Sequence, residues 1–251
     1  MLAFAPLHDA VGAAGAALSW LAGLLEPLAG GAATAAAIVL LTVAVRLLIS
    51  PLTVAQVRGE RRRAALAPQV RDLQRRYADD PARLQSELFG LYRSAGASPV
   101  TGCLPALLQA PFLLVMYRLF TTTEGGTGLL DERLAGVRLG HHLTDGLAGA
   151  AGPLFAVLLA LLVVLAWWMS RRIRRTAAET GTVAGAPAAG PGAATLARLL
   201  PLLPYATVLV ALVLPLAAVI YLVTTTAWSA LEQAVLRRPR PAPAGADIDR
   251  R

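Results

Sequence analysis

Long runs without charge alternate along this chain with shorter stretches dense in arginine. The first such run is TAAAIVLLTVAVRLLISP (34–51), and it holds a single charge, Arg46. Twelve uncharged residues (34–45) precede Arg46 and eleven (47–57) follow it. A helix over 32–57 would be about 39 Å long, enough to cross a bilayer with Arg46 near mid-depth. An arginine there stays charged and costs at least about 2.5–3.5 kcal/mol to insert. The bland alternative is an arginine that snorkels to the surface. The nearest polar boundary, Arg58, is about 18 Å away along the axis, beyond the reach of one side chain. Thr42, Arg46, Ser50 and Thr53 fall at i, i+4, i+8 and i+11, one face of a helix. Pro51 removes the N–H that would bond the Leu47 carbonyl and predicts a bend just past the arginine. One charge, three hydroxyls and a bend on one side predict a water-containing cavity.

The remaining pattern sets out nine further segments. Residues 1–31 carry Val11, Ala14, Leu18, Leu21, Leu25 and Leu28 at helical spacing, with Trp20 suited to an interface. They read as an outer amphipathic helix lying on the membrane; a short extra span is the alternative. Residues 58–98 are polar, with apolar stripes Leu66, Val70, Leu73, Tyr77 and Leu84, Leu88, Leu91 on either side of Asp79-Asp80-Pro81. An aspartate N-cap and a proline at N1 restart a helix there, predicting a cytoplasmic helical hairpin. A second span follows over 99–120, then a Gly-rich outer loop over 121–152. The third span, 153–170, ends in Trp167-Trp168 before RRIRR. Residues 171–196 read as a cytoplasmic linker rich in Gly, Ala, Pro and Thr. Residues 197–236 are too long for one span, and Pro215 divides them into a fourth (197–214) and a fifth (215–236). Residues 237–251 read as a disordered tail.

Composition agrees with a polytopic membrane protein: 56% of the 251 residues are hydrophobic, 15% are charged and mean hydropathy is +0.59. All 23 basic residues are arginine, and the net charge of +8 is unevenly placed. The segments 58–98, 171–198 and 237–251 are rich in arginine, whereas 1–31 and 121–152 are not. By the positive-inside rule this predicts five spans, with the N-terminus outside and the C-terminus in the cytoplasm. The single cysteine, Cys103, excludes an intramolecular disulfide and a cysteine metal cluster.

Enzymatic chemistry finds no foothold. None of the spans holds an Asp or Glu apart from Glu232, near the last cytoplasmic end, and the histidines His8, His141 and His142 lie in outer segments. No phosphate-binding loop or Ser–His pair can be assembled, and no metal or cofactor is expected. The polar groups left at depth are Gln109 in the second span and, in the fifth, Tyr221, Thr225, Trp228 and Glu232 at i, i+4, i+7 and i+11, with Thr224 beside them. Ordinary helix–helix hydrogen bonding would explain each alone. Two matching polar faces in separate helices instead predict a shared cavity. A small-anion transporter or channel, or a structural assembly subunit of a membrane complex, would suit these residues as well.

Four stretches together resemble the Oxa/YidC/Alb family of membrane protein insertases in its short five-span bacterial form. VRLLISPL (45–52) is similar to the family's arginine-then-proline first helix. APQVRDLQRRYADDPARLQSELFGLYRSAG (67–96) resembles its cytoplasmic hairpin. SPVTGCLPALLQAPFLLVMYRLF (98–120) is similar to the second-helix signature of Gly-Cys-x-Pro followed by Gln-x-Pro. LPLAAVIYLVTTTAWSALEQAVL (214–236) resembles the last helix. The chain departs from the family at Ser98, which is commonly Asn, at Leu222 and Thr226, often Tyr and Asn, and in an entirely apolar third span.

The resemblance implies an all-α membrane fold in the bacterial cell membrane, and a groove open to cytoplasm and lipid and closed to the outside. Its lining would be Thr42, Arg46, Ser50, Thr53, Gln109, Tyr221, Thr224, Thr225 and Trp228. Nascent membrane proteins are the implied substrates. The hairpin, with Arg61, Arg62, Arg63, Arg71, Arg75 and Arg76, would recruit them or meet the Sec translocon, the ribosome or the signal recognition particle pathway, and membrane lipids would surround the spans.

Overall fold

A computed structural model describes residues 5–96, 114–115, 117–120, 128, 130–180, 195 and 198–236. Helix α1 (Ala5–Ala29) buries Val11 and Leu18 in the main core, while Trp20, Leu24 and Leu28 point outward at i, i+4 and i+8. It packs against α2 (Ala33–Ala65). A single 3-10 turn, Gly30–Ala32, joins the two, and Gly30 takes φ +50°, a conformation that suits glycine.

Helix α2 is one continuous helix of 33 residues with Pro51 inside it. It does not stop at Val57, where the apolar run ends. Arg58, Arg61, Arg62 and Arg63 form its last two turns, so the base of the hairpin is an extension of the first spanning helix. The side chain of Arg63 lies outside the described set. Helices α3 (Ala67–Arg76) and α4 (Pro81–Ser94) close the hairpin. Val70, Leu84 and Leu88 are buried between them, with Leu73, Tyr77, Leu91 and Tyr92 packed around, so the two apolar stripes meet each other. The Asp80 carboxylate accepts from the Arg83 N–H at 3.0 Å and caps α4.

Of the second span, residues 114–115 and 117–120 are described and helical; Leu119 and Phe120 belong to the main core. Residues 97–113, with Cys103 and Gln109, lie outside the described residues.

The part of the Gly-rich outer segment described from residue 130 onward forms a cap. Strands β1 (Arg133–Leu134) and β2 (Val137–Arg138) pair antiparallel, Leu134 opposite Val137. Their two-residue turn puts Ala135 at φ 52° and Gly136 at φ 85°, both positive as a type I′ turn requires. Val137 and Leu139 are buried in the main core. Helix α5 (Ala151–Thr180) contains the third span and continues ten residues beyond Ser170, so RRIRR is helix rather than linker. The Arg171 and Arg172 guanidinium groups lie over the Trp167 and Trp168 rings at 4.1 and 5.3 Å. Helix α6 (Leu203–Ala211) and helix α7 (Leu216–Leu236) flank a turn that contains the buried Pro215.

Helix α7 lies at the centre. Residues Leu216, Ala217, Ala218, Val219, Ile220, Tyr221, Leu222 and Val223 are all buried, and α7 packs against α2 and α5. The cap closes its start: the Leu216 and Ala217 N–H groups donate to the carbonyls of His141 and Leu139, each at 2.9 Å, which satisfies orphan donors of the first turn. At the far end an Arg61 Nη2 donates to the Leu236 carbonyl, and Gln233 Nε2 lies 3.4 Å from Met169 Sδ. Among the described residues, the Arg-poor connections thus gather at one end of the bundle and the Arg-rich ones at the other. Among the described residues three helical stretches are long and apolar enough to cross a membrane: His8–Gly59, Ala151–Ala177 and Leu216–Leu236; Leu200–Ala211 is a shorter apolar helix. The protein is a multi-pass, all-α membrane protein.

Candidate functional site

Periodicity puts Arg46 on one face of α2, and packing sets that face against α7. The Arg46 Nε–H donates to Thr225 Oγ1 at 2.9 Å, an Nη2–H donates to the same oxygen, and Nη2 also reaches the Thr225 carbonyl at 3.2 Å. Arg46 is half-buried, and among the described residues no carboxylate lies within ion-pair distance of it. Tyr221 and Glu232 are close enough to interact with it through space. From Thr225 to either end of α7 is about ten residues, roughly 15 Å, so the contact lies near mid-span.

The other expected lining residues divide into two groups. Thr42 is buried, and its hydroxyl donates back to the Ile38 carbonyl at 2.7 Å; Thr224 does the same to Ile220 at 2.8 Å. Both hydroxyl protons are taken by their own helices, which leaves the two oxygens as acceptors only. Ser50, Thr53, Thr225 and Trp228 are half-buried, and Tyr221 is buried. Gln109 falls outside the described residues. Ser229 was not singled out by its spacing; its hydroxyl donates to the Thr225 carbonyl at 2.9 Å, beside Arg46.

Glu232 is the residue that sequence reasoning undervalued. Its place near the end of the last span reads as interfacial, yet it is only 9% exposed. Its Oε1, and the Trp228 Nε1 one turn before it, are buried atoms without a hydrogen-bond partner. The signal was present in the spacing, since Glu232 completes the face of Tyr221, Thr225 and Trp228.

In the hairpin, Arg62, Arg75 and Arg76 are exposed, while Arg71 is half-buried and Arg61 is engaged with Leu236. Arg76 lines a cleft between α3 and α4 together with Gln69, Asp72 and Glu87.

Comparisons with known proteins converge. The sequence profile of the 60Kd inner membrane protein family matches residues 25–242. A protein of Chloroherpeton thalassium named membrane protein insertase YidC is 40% identical over 86 residues, 34% of this chain and 15% of its own length. One of the same name from Chlamydia caviae is 42% identical over 86 residues, 34% of this chain and 11% of its own. Another from Prosthecochloris aestuarii is 38% identical over 133 residues, 51% of this chain and 23% of its own. The matched region is less than a quarter of the length of each of these relatives.

Proposed function

This chain belongs to the 60Kd inner membrane protein family, and on that premise we propose that it inserts and folds membrane proteins. Arg46 is the observation that carries the reading: a half-buried guanidinium at mid-span, held by a threonine rather than by an acid. Its positive charge is not cancelled by a contacting carboxylate, and it draws a hydrophilic, often acidic, segment of an incoming chain part-way into the bilayer. This shortens the polar crossing. The substrate's apolar stretch then moves into lipid along α7. About twenty Leu, Ile, Phe or Val residues contribute roughly 6–12 kcal/mol at about 0.3–0.6 each, comparable with the cost of carrying a few charges across. The reading therefore needs no catalytic residue, nucleotide or cofactor.

The outer cap fits this scheme. The seating of Leu139 and His141 on the first turn of α7 supports a groove closed at the Arg-poor end and entered from the Arg-rich end. We assign that end to the cytoplasm by the positive-inside rule, with the hairpin projecting from it as the receiving surface for nascent chains. The ribosome, the signal recognition particle pathway and the Sec translocon are the partners such a surface would serve. A small-anion channel fits this reading less well, because a groove closed at the Arg-poor end has no second opening.

The test is reconstitution. Purified protein in liposomes should bring a single-span substrate with an acidic tail to a protease-protected, spanning state without added nucleotide. Empty liposomes should not, and equal insertion by both would remove the assignment.

A further inference from the structure

The indole Nε1–H of Trp228 and the carboxyl Oε1 of Glu232, both on α7, are among the buried polar atoms without a hydrogen-bond partner. The first only donates and the second accepts. At i and i+4 they share one face of the helix, about 6 Å apart along its axis. Folded proteins rarely leave buried polar atoms in this state. Their neighbours show the contrast: the hydroxyls of Thr224 and Ser229 bond the helix backbone, and Gln233 reaches Met169. The unpaired donor and acceptor lie between Thr225, where Arg46 is held, and Leu236 at the Arg-rich end.

We propose that Trp228 and Glu232 form a binding site for the main chain of an incoming polypeptide. The indole N–H donates to a peptide carbonyl and the Glu232 carboxyl oxygen accepts from a peptide N–H. The inference rests on the insertase reading and gives it a second determinant. Each residue of a polypeptide offers one backbone donor and one acceptor, the complement of this pair. The main chain is common to every substrate, so this site is blind to sequence, whereas Arg46 responds to charge. A chain leaving water has peptide groups without partners until it forms a helix, and the site holds one such pair at that point. A lysine or arginine of the substrate is the rival ligand for Glu232. A cation gives the indole N–H nothing to donate to, and the pairing of donor with acceptor favours the peptide.

The experiment compares wild type, Trp228→Phe, Glu232→Gln and Glu232→Leu in liposomes. Two single-span substrates are used, one flanked by lysines and one by uncharged residues, and melting temperatures are measured alongside. Trp228→Phe and Glu232→Leu should each slow insertion of both substrates by about three- to tenfold, the worth of one hydrogen bond. Glu232→Gln keeps a side-chain carbonyl acceptor and should recover at least half of the rate lost in Glu232→Leu. The melting temperature of Trp228→Phe should not fall below that of wild type, since only an indole N–H without a partner has been removed, whereas Glu232→Leu also gives up its attraction to Arg46 and should melt somewhat lower. Equal failure of Glu232→Gln and Glu232→Leu, confined to the lysine-flanked substrate, would make the site a cation site and overturn the proposal. Wild-type rates in Trp228→Phe and Glu232→Leu would mean that only water meets these atoms. Slower insertion with a lowered melting temperature in every variant would reduce the pair to packing. If the wild type itself inserts neither substrate, the insertase reading falls and this site with it; if the wild type inserts and the variants match it, this site alone falls.

Discussion

Arg46 on α2 donates twice to the hydroxyl of Thr225 on α7, 179 residues further along the chain, so the charge in the middle of one membrane helix is held by a neutral oxygen of another. A hydrogen bond from a charged group contributes about 1.5–3 kcal/mol. Thr225→Val keeps the β-branched shape and removes the acceptor. It should lower stability by about that amount, read as a fall in melting temperature in detergent. An unchanged melting temperature would show that the α2–α7 contact does not depend on this pair.

The two ends of the bundle should face opposite sides of the membrane. Ser86 on α4 and Thr144 in the cap are both exposed. In a Cys103→Ser background, a cysteine at position 86 should react with an impermeant thiol reagent only from the cytoplasmic side, and one at position 144 only from outside. Labelling of both from one side would contradict the assigned topology.

Asp145 makes the cap sensitive to acid. The backbone N–H of His142 donates to its Oδ2 at 2.8 Å, and the rings of His142 and His141 lie 3.5 and 4.0 Å away. That hydrogen bond first, and the neighbouring histidine charges after it, hold the carboxyl below its usual range. A depressed folded-state pKa stabilises fully above the unfolded value, about 3.9 for Asp, and the contribution is lost as pH falls through the lower folded value. Amide protection across 139–145, taken relative to the intrinsic exchange rate at each pH, should therefore fall below about pH 4 and be flat above about pH 5. Asp145→Asn should abolish that dependence.

Close packing at the start of α5 gives a further test. A Cβ on Gly152 would stand 2.8 Å from the Leu147 carbonyl oxygen, a backbone atom that cannot swing aside. Gly152→Ala should cost about 1–3 kcal/mol, the usual range for overpacking, measured as a shift in thermal unfolding. A neutral effect would mean that the cap yields easily.

Features written into one element's own period were legible in the sequence. The Arg46 face, the paired stripes of Val70 and Leu84, the Asp80 cap and the break at Pro215 all follow from spacing or local chemistry. Relations between elements were not. Periodicity marks Arg46 and Thr225 as members of polar faces, but not that one holds the other. Nor does it tell that the hydroxyls of Thr42 and Thr224 donate to the carbonyls of Ile38 and Ile220. The helices outrun their apolar runs, to Ala65 and Thr180, because helix formation needs backbone bonds rather than apolar side chains. The cap was read as loop because glycines at 136, 140 and 146 announce turns and say nothing of Val137 and Leu139 sinking into the core.

If the charge of Arg46 draws acidic segments inward, the rate of insertion by three variants at this position should follow that charge. Unit charges about 4 Å apart interact by about 4 kcal/mol at an effective dielectric near 20, and a third of that is about tenfold in rate. With a substrate bearing an acidic translocated tail, Arg46→Ala and Arg46→Glu should insert at least about tenfold more slowly than wild type. Arg46→Lys should retain most of the rate, with a lowered melting temperature, because the lysine loses the forked contact on Thr225. A neutral tail should narrow the differences. Wild-type insertion of the acidic-tailed substrate by a stably folded Arg46→Ala protein would mean that this charge plays no part in insertion.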